Sequence, residues 1–291
     1  MHWLEPGSLW PRLQAATQHA LACGALRPIH TRELWLEENG CPFLIHLAPA
    51  LARKEKRTSS DQQPQRDPFL PYEKDLFVGD LSETHLCLLN KYNVFADHIL
   101  IVTRQFEAQE AWLNEQDFAA LAFCLQEIDG LAFYNSGKMA GASQPHKHLQ
   151  LVPLPLSPVG PPLPVEPLWE TAVYPQTIGH IPHLPFQHAI ARLPGTIAPK
   201  LYHTYRTLMH HLHLLPDGAS MNGICHTAYN LLATRRYMMI VPRTRDNYQG
   251  IPVNALGFAG SLLARDDADM QILRQQGPLR VLTNVARAKN T

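Results

Sequence analysis

Between Gly141 and Gln150 the chain reads G-A-S-Q-P-H-K-H-L-Q, a decapeptide rich in the residue types that handle phosphate. If its last residues are extended, the two-residue period of a strand sets His146, His148 and Gln150 on one face and Lys147 and Leu149 on the other. Two imidazoles and an amide then converge. The residues ahead of them, two small ones, a hydroxyl, an amide and a proline, suit a tight loop whose backbone N–H groups face an anion. On spacing alone three readings stay open: a polar strand face in a chain with 16 histidines, the start of a metal site, or nucleophilic chemistry by an imidazole.

The surrounding pattern says what must hold this stretch. Leu9 to Gly24 is helical by the spacing of Leu9, Leu13, Ala16 and Ala20, and Leu34 to Leu51 alternates toward strand around Phe43, Ile45 and Leu47. Arg53 to Asp67 has no apolar residue and reads as a solvated loop. Its basic residues Arg53, Lys54, Lys56, Arg57 and Arg66 are either a solubilising surface or the source of a phosphate contact. His85 to Thr103 is a hairpin of two apolar runs about a turn holding Asn90, Lys91 and Asn93. Gln116 to Leu131 is an amphipathic helix with Phe118, Leu121, Ala122, Leu125 and Ile128 on its apolar face.

Beyond Gln150, Pro153 to Pro167 cannot continue a central strand, because proline lacks the donor; it is a surface connection or a boundary between lobes. Pro199 to Leu215 reads as a surface helix crowded with histidines, and Ala264 to Gly277 as a terminal helix. Tyr92-Asn93-Val94 leading through Asp97-His98 to Arg104 resembles Tyr229-Asn230-Leu231 leading to Arg243, which suggests two related sheet units.

Bulk composition narrows the function classes. At 291 residues the chain is one large domain or two ordinary ones, 45% hydrophobic and 17% charged, with 25 basic and 25 acidic residues cancelling. That balance gives no reason to expect nucleic acid or an anionic membrane as partner. The first residues lack the basic start and apolar core of a signal peptide, and no apolar run reaches the roughly 18 residues of a membrane span. Five scattered cysteines without a C-x-x-C pair predict free thiols of a reducing cytoplasm and no zinc knuckle.

From about Arg66 onward the sequence resembles the diadenosine tetraphosphate phosphorylases, or ATP adenylyltransferases, of the HIT superfamily. The resemblance rests on P-F-L-P-Y-E (Pro68 to Glu73), L-L-N-K-Y-N-V-F (Leu88 to Phe95), D-H-I-L-I-V-T (Asp97 to Thr103), Y-N-S-G (Tyr134 to Gly137), the decapeptide, Y-N-L-L-A-T (Tyr229 to Thr234), V-P-R and N-A-L-G-F-A-G (Asn254 to Gly260). It implies an α+β fold of two HIT-like antiparallel-sheet halves with flanking helices, similar to galactose-1-phosphate uridylyltransferase. The halves would be residues 1–152 and 199–291, joined by a proline-rich connection at 153–198.

The resemblance also implies roles. The second His of H-x-H-x-Q, here His148, is the nucleophile that takes the nucleotidyl group before inorganic phosphate removes it, so that diadenosine tetraphosphate becomes ATP and ADP. A neutral imidazole suits this, since its reference pKa of about 6.5 leaves it unprotonated near neutral pH. His146 would orient the nucleophile or hold a phosphate oxygen, and Ser143 and Gln144 would bind other oxygens. Asn90 resembles a ribose contact, Asn135 a phosphate contact and Lys54 a basic loop residue that neutralises polyphosphate. HIT hydrolases carry a third His where this chain has Gln150; an amide donates hydrogen bonds but supplies no proton, which favours transfer over hydrolysis.

The expected partners are small nucleotides and phosphate, with a divalent cation such as Mg2+ or Mn2+ accompanying the nucleotide, no protein-bound metal, and a monomeric chain. Two other readings remain. A sugar-1-phosphate nucleotidyltransferase would carry prolines where Lys147 and Leu149 stand and paired zinc cysteines. A nucleotide-binding module without turnover would have no need of both His148 and Gln150.

Overall fold

The computed structural model describes residues 3–49, 67–215, 221 and 223–289; Lys54 and most of the basic loop lie outside the described residues. Helix α1 (Leu9–Cys23) ends at Gly24 in the left-handed conformation, as its sequence predicts. Strands β1 (Arg32–Glu38) and β2 (Cys41–Leu47) form an antiparallel hairpin where the apolar pattern suggests one continuous stretch. Asn39 and Gly40, at φ 54° and 75°, divide it: Asn-Gly is the pair that a two-residue hairpin turn demands.

The chain continues through β3 (Phe77–Asp80), β4 (His85–Leu89), β5 (Ile99–Thr103), α2 (Glu115–Glu127), β6 (Gly130–Asn135), β7 (His148–Pro153), α3 (Glu166–Glu170), β8 (Ile178–Gly179) and β9 (Ala189–Arg192). Then come α4 (Ala198–His211), β10 (Tyr229–Ala233), β11 (Tyr237–Pro242), β12 (Asn247–Tyr248), β13 (Ile251–Pro252), α5 (Ala255–Phe258), β14 (Ser261–Ala264), α6 (Asp267–Gln276) and α7 (Pro278–Val285). The fold is α+β, as expected. Nine strands make one antiparallel sheet in the order β3-β4-β5-β7-β6-β10-β11-β9-β8, and β1, β2 and β14 make a smaller one.

Strand alternation sorts the large sheet into two faces. Cys87, Leu89, Ile99, Ile101, Leu149, Leu151, Ala132, Tyr134, Leu231 and Ile240 point into one core, shared with α1, α2 and α4. Leu131, Phe133, Val152, Leu232, Met239 and Val241 point the other way into a second core shared with the small sheet and the C-terminal helices. Over β4 and β5 this second face carries, among the described residues, a small cluster of Phe69, Leu86, Leu88, Leu100 and Val102. Among the described residues the covering layer stops there, leaving the sheet open beside β7.

Three expectations need correction. Helix α2 stops at Glu127, short of Leu131: Gly130 lies in β6 against Val152, where a Cβ would meet the Val152 carbonyl at 2.6 Å, so packing and not helical periodicity decides these residues. Ala264 to Gly277 begins as the end of β14; the helix there starts only after Asp266, whose carboxylate accepts from the amides of Ala268 and Asp269, and another helix follows Gly277. The two Tyr-Asn motifs do not occupy equivalent places. Asn230 sits on β10, whereas Tyr92 and Asn93 lie in the loop between β4 and β5. The connection from Pro153 is packed onto the fold, with Leu156, Leu163 and Val165 buried in the second core.

One buried ionic network ties β7 to the helical face. Lys147, directly before the strand, is fully buried; its ammonium lies 2.7 Å from Asp117 Oδ2 and 2.9 Å from Glu107 Oε2, and donates to the Trp112 carbonyl. Asp117 also caps α2 by accepting from the Asn114 amide and receives His85 Nε2 at 2.9 Å. Burial alone would raise the Asp117 carboxyl, but His85 and Lys147 outweigh it and hold it below its usual range. Removing one member strands a charge, so Asp117→Ala is expected to cost about 3–5 kcal/mol in urea unfolding. Lys147→Met is expected to cost less, because Asp117 keeps His85 and the helix cap. Equal losses from the two variants would refute this account.

Candidate active site

The open part of the sheet forms the floor of a cavity of about 750 Å³. His148 and Gln150 of β7, Leu88 to Tyr92, Leu100, Pro68, Phe69 and Glu73 line it, together with Ser143 and Gln144 and the segment Arg27 to His30. The lining combines the apolar cluster of Phe69, Leu88 and Leu100 with polar side chains such as Asn90, Ser143, Gln144 and Gln150, a mixture common in small-molecule sites.

His148 projects from the first position of β7 and is 3% exposed. Its Nδ1 lies 2.8 Å from the carbonyl of His146. A carbonyl can only accept, so the proton sits on Nδ1 and the lone pair on Nε2. Burial lowers its pKa to about 4, with the His146 carbonyl pulling in the other direction. The imidazole is thus neutral at neutral pH, with one nitrogen ready to attack.

His146 does not line the cavity with its ring. Its Nδ1 reaches Asp67 Oδ2 at 2.8 Å and its Nε2 faces the Thr103 carbonyl at 2.8 Å and hydroxyl at 3.0 Å. Both nitrogens are committed, and it is the backbone oxygen of His146 that orients His148. Phe69 packs edge-on against both imidazoles, with centroids 5.5 Å and 5.4 Å away. The alternation expected of the motif holds: Lys147 and Leu149 point to the opposite side, into the ionic network and the helical core.

A buried amide fixes the start of the strand. Gln109, fully buried, accepts from the His148 backbone amide at 2.8 Å and donates to the carbonyls of Asn135 and His148. It thereby stands between β6 and β7 at the residue whose Nε2 carries the bare lone pair. Tyr134 Oη in turn donates to the Gln109 carbonyl.

The loop before the motif is a tight turn. Amides of Ala140, Gly141 and Ala142 close onto the carbonyls of Gly137 and Lys138, so of the amides that the composition offers to an anion, those of Gly141 and Ala142 are taken within the turn. Gly141, at φ 88°, has no room for a side chain: a Cβ would stand 2.6 Å from the Val253 carbonyl. The turn delivers Ser143 and Gln144 to the cavity, where Gln144 Oε1 is buried without a partner among the described residues.

Asn135 is brought near the loop but not into the cavity wall. It is 2% exposed, and its Oδ1 accepts from Asn230 Nδ2 at 2.8 Å and from the Ala255 amide at 2.9 Å. Asn230 and the buried Arg243 both donate to the Ala140 carbonyl, so this group secures the turn from behind. Burial lowers the Arg243 guanidinium to about 9, against the pull of Asp246. Asn90 lines the cavity, and Gln150 Oε1 lies 3.0 Å from His98 Nε2.

Sequence reasoning missed His98, Gln109, Asp67 and Phe69. His98 had a signal, a polar ring at the head of the apolar run I-L-I-V; Gln109 had none, because its neighbours are distant in sequence.

Burial of neutral imidazoles has a stability consequence. His98, His148 and His188 are all lowered to about 4, chiefly by burial, from the ordinary 6.5. The unfolded chain binds protons near the ordinary value while the folded chain does not, so stability is lost as pH falls through that window and levels off below it. Urea midpoints are expected to decline from about pH 6.5 to about pH 4; a flat profile would contradict neutral buried rings.

Residues 1–171 match the Ap4A phosphorylase N-terminal domain family and residues 182–288 the ATP adenylyltransferase C-terminal domain family. Protein APA1 of Saccharomyces cerevisiae is 27% identical over 253 residues, covering 78% of this chain and 76% of the yeast protein. Diadenosine 5′,5‴-P1,P4-tetraphosphate phosphorylase 2 of the same yeast is 26% identical over 269 residues, 80% of this chain and 79% of the relative. The crystal structure of yeast Ap4A phosphorylase Apa2 in complex with Ap4A superposes with a TM-score of 0.80 at 22% identity, covering 97% of this chain and 98% of the other; at that identity it speaks for the fold.

Proposed function

The chain belongs to the Ap4A phosphorylase family, and from that premise we propose that it phosphorolyses diadenosine tetraphosphate with inorganic phosphate to ATP and ADP through a nucleotidyl-histidine. The observation that carries the reading is the His148 hydrogen bond to the His146 carbonyl, which leaves Nε2 unprotonated beside a nucleotide-sized cavity.

In the first step His148 Nε2 attacks the α-phosphorus of one adenylyl group. The P–N bond forms as the bond to the bridging oxygen breaks, and ATP leaves with the electron pair. A polyphosphate is a weakly basic leaving group and needs no general acid, which fits the amide at Gln150. In the second step an oxygen of inorganic phosphate attacks the same phosphorus, the P–N bond breaks, and ADP leaves with His148 restored. Ser143 and Gln144 hold phosphate oxygens, and the apolar wall of Leu88, Leu100 and Phe69 takes the base.

The cavity offers little to a resident metal. Glu73 is its one carboxylate among the described residues, and it is paired with Lys91. A Mg2+ or Mn2+ would therefore arrive on the polyphosphate, which such ions prefer to dedicated protein cages. The free thiols Cys23, Cys41, Cys87, Cys124 and Cys225 support a reducing cytoplasm. No helix among the described residues is long and apolar enough to cross a membrane.

His148→Ala is expected to lower phosphate-dependent ATP formation by at least about 10⁴-fold, on the scale of removing a covalent nucleophile, with the circular dichroism spectrum unchanged. Chromatography of products with and without phosphate tests the reading directly. Omission of phosphate should stop turnover, and equally fast AMP release without it would identify a hydrolase.

A further inference from the structure

Gln150 meets the cavity with a side chain whose two ends are chemical opposites: a carbonyl oxygen that accepts and an NH2 that donates. Only the NH2 end attracts an anion. Which end faces inward is decided by a series of hydrogen bonds that begins at a group without alternatives.

The backbone N–H of Tyr92 can only donate, and it reaches Asn90 Oδ1 at 3.3 Å. Asn90 therefore turns Nδ2 toward His98, whose Nδ1 lies 3.2 Å away and must accept. A neutral imidazole that accepts at one nitrogen donates at the other. His98 Nε2–H then points at Gln150 Oε1, 3.0 Å away, and Gln150 keeps both amide protons for the cavity. Reversing any one member brings two donors or two acceptors together. An Asn90 flip, for example, sets its NH2 against the Tyr92 N–H.

The arrangement requires His98 to carry a single proton. The ring is 6% exposed and packed against Phe133 at 5.7 Å, and burial is the main influence lowering its pKa, to about 4. The His148 ring on the same strand face also disfavours a charge there. A protonated His98 would hold two donors, one of them opposed to Asn90 Nδ2.

We propose that His98 is a positioning residue for nucleotidyl transfer, which, anchored through Asn90 to the Tyr92 amide, fixes Gln150 so that its NH2 faces the phosphorus under attack by His148. The inference deepens the phosphorolysis reading and rests on it. It gives Asn90 a duty besides any contact with a ribose. It also separates His98 from the chemistry itself: an amide lies between its proton and the substrate, so the ring orients and does not relay a proton.

Two measurements on the full-length protein test this. The first needs no turnover: 15N chemical shifts of His98 in the ligand-free protein at neutral pH are expected to show a bare Nδ1 and a protonated Nε2, and the opposite tautomer would overturn the proposal. The second is kinetic. His98→Phe fills the same space without hydrogen bonds, and is expected to lower kcat about 10- to 100-fold, toward the loss seen when one donor to a developing oxyanion is removed, with KM for the dinucleotide within about twofold.

His98→Gln is long enough to place its amide NH2 near the ring Nε2 position and donate to Gln150, and is expected to recover part of kcat. A His98→Phe variant with kcat within about twofold of the parent would sink the idea. So would a His98→Gln variant as impaired as His98→Phe, since a purely structural ring would make both defective. A parent protein that makes no ATP from diadenosine tetraphosphate and phosphate would instead refute the functional reading, and the tautomer result would still stand on its own.

Discussion

The 2.8 Å hydrogen bond from His148 Nδ1 to the His146 carbonyl is the contact on which the site depends. It chooses the tautomer, aims the ring, and leaves Nε2 as the only nitrogen able to attack. A bond of this kind is only as good as the backbone at its far end, and here that backbone is held from several directions. The His146 ring is pinned by Asp67 and Thr103, the Lys147 side chain by Asp117 and Glu107, and the His148 amide by Gln109. Three successive residues are thus immobilised by groups from four other parts of the chain.

The pattern also explains why charged groups are buried where apolar ones would be simpler. A lysine in a core costs desolvation that its partners only partly return, so its presence before β7 is a poor device for stability. As a device for register it is effective. Lys147 can satisfy its ammonium only if the segment lies in one position over α2, and that position sets His148 toward the cavity. A slip of one residue would carry His148 into the helical core.

Much of this was legible in the chain. The two-residue period of the motif separated His148 and Gln150 from Lys147 and Leu149, and the structure keeps that division. The hairpin of β4 and β5 lies where two apolar runs flank a polar turn. Periodicity failed where helix and strand signals meet, as at Gly130 and Leu131, because the neighbour that decides them is Val152 on another strand. Nor could it find the surroundings of Asn135, to which the resemblance gives a phosphate contact and whose oxygen the fold holds with Asn230 and Ala255, 95 and 120 residues away.

The sequence by itself determined the chemistry available: an imidazole, an amide, a hydroxyl and a glycine turn in fixed order, with an α+β pattern to carry them. Local periodicity is enough for that, since residue type and face are properties of neighbours in the chain. Only the tertiary structure decided the state in which those groups act. Which nitrogen of His148 bears the proton, which way Gln150 points and how little charge the buried rings tolerate are set by His146, His98, Asn90 and the burial around them. Proton positions follow from donor and acceptor geometry and from dielectric surroundings, and these exist only once distant segments have met.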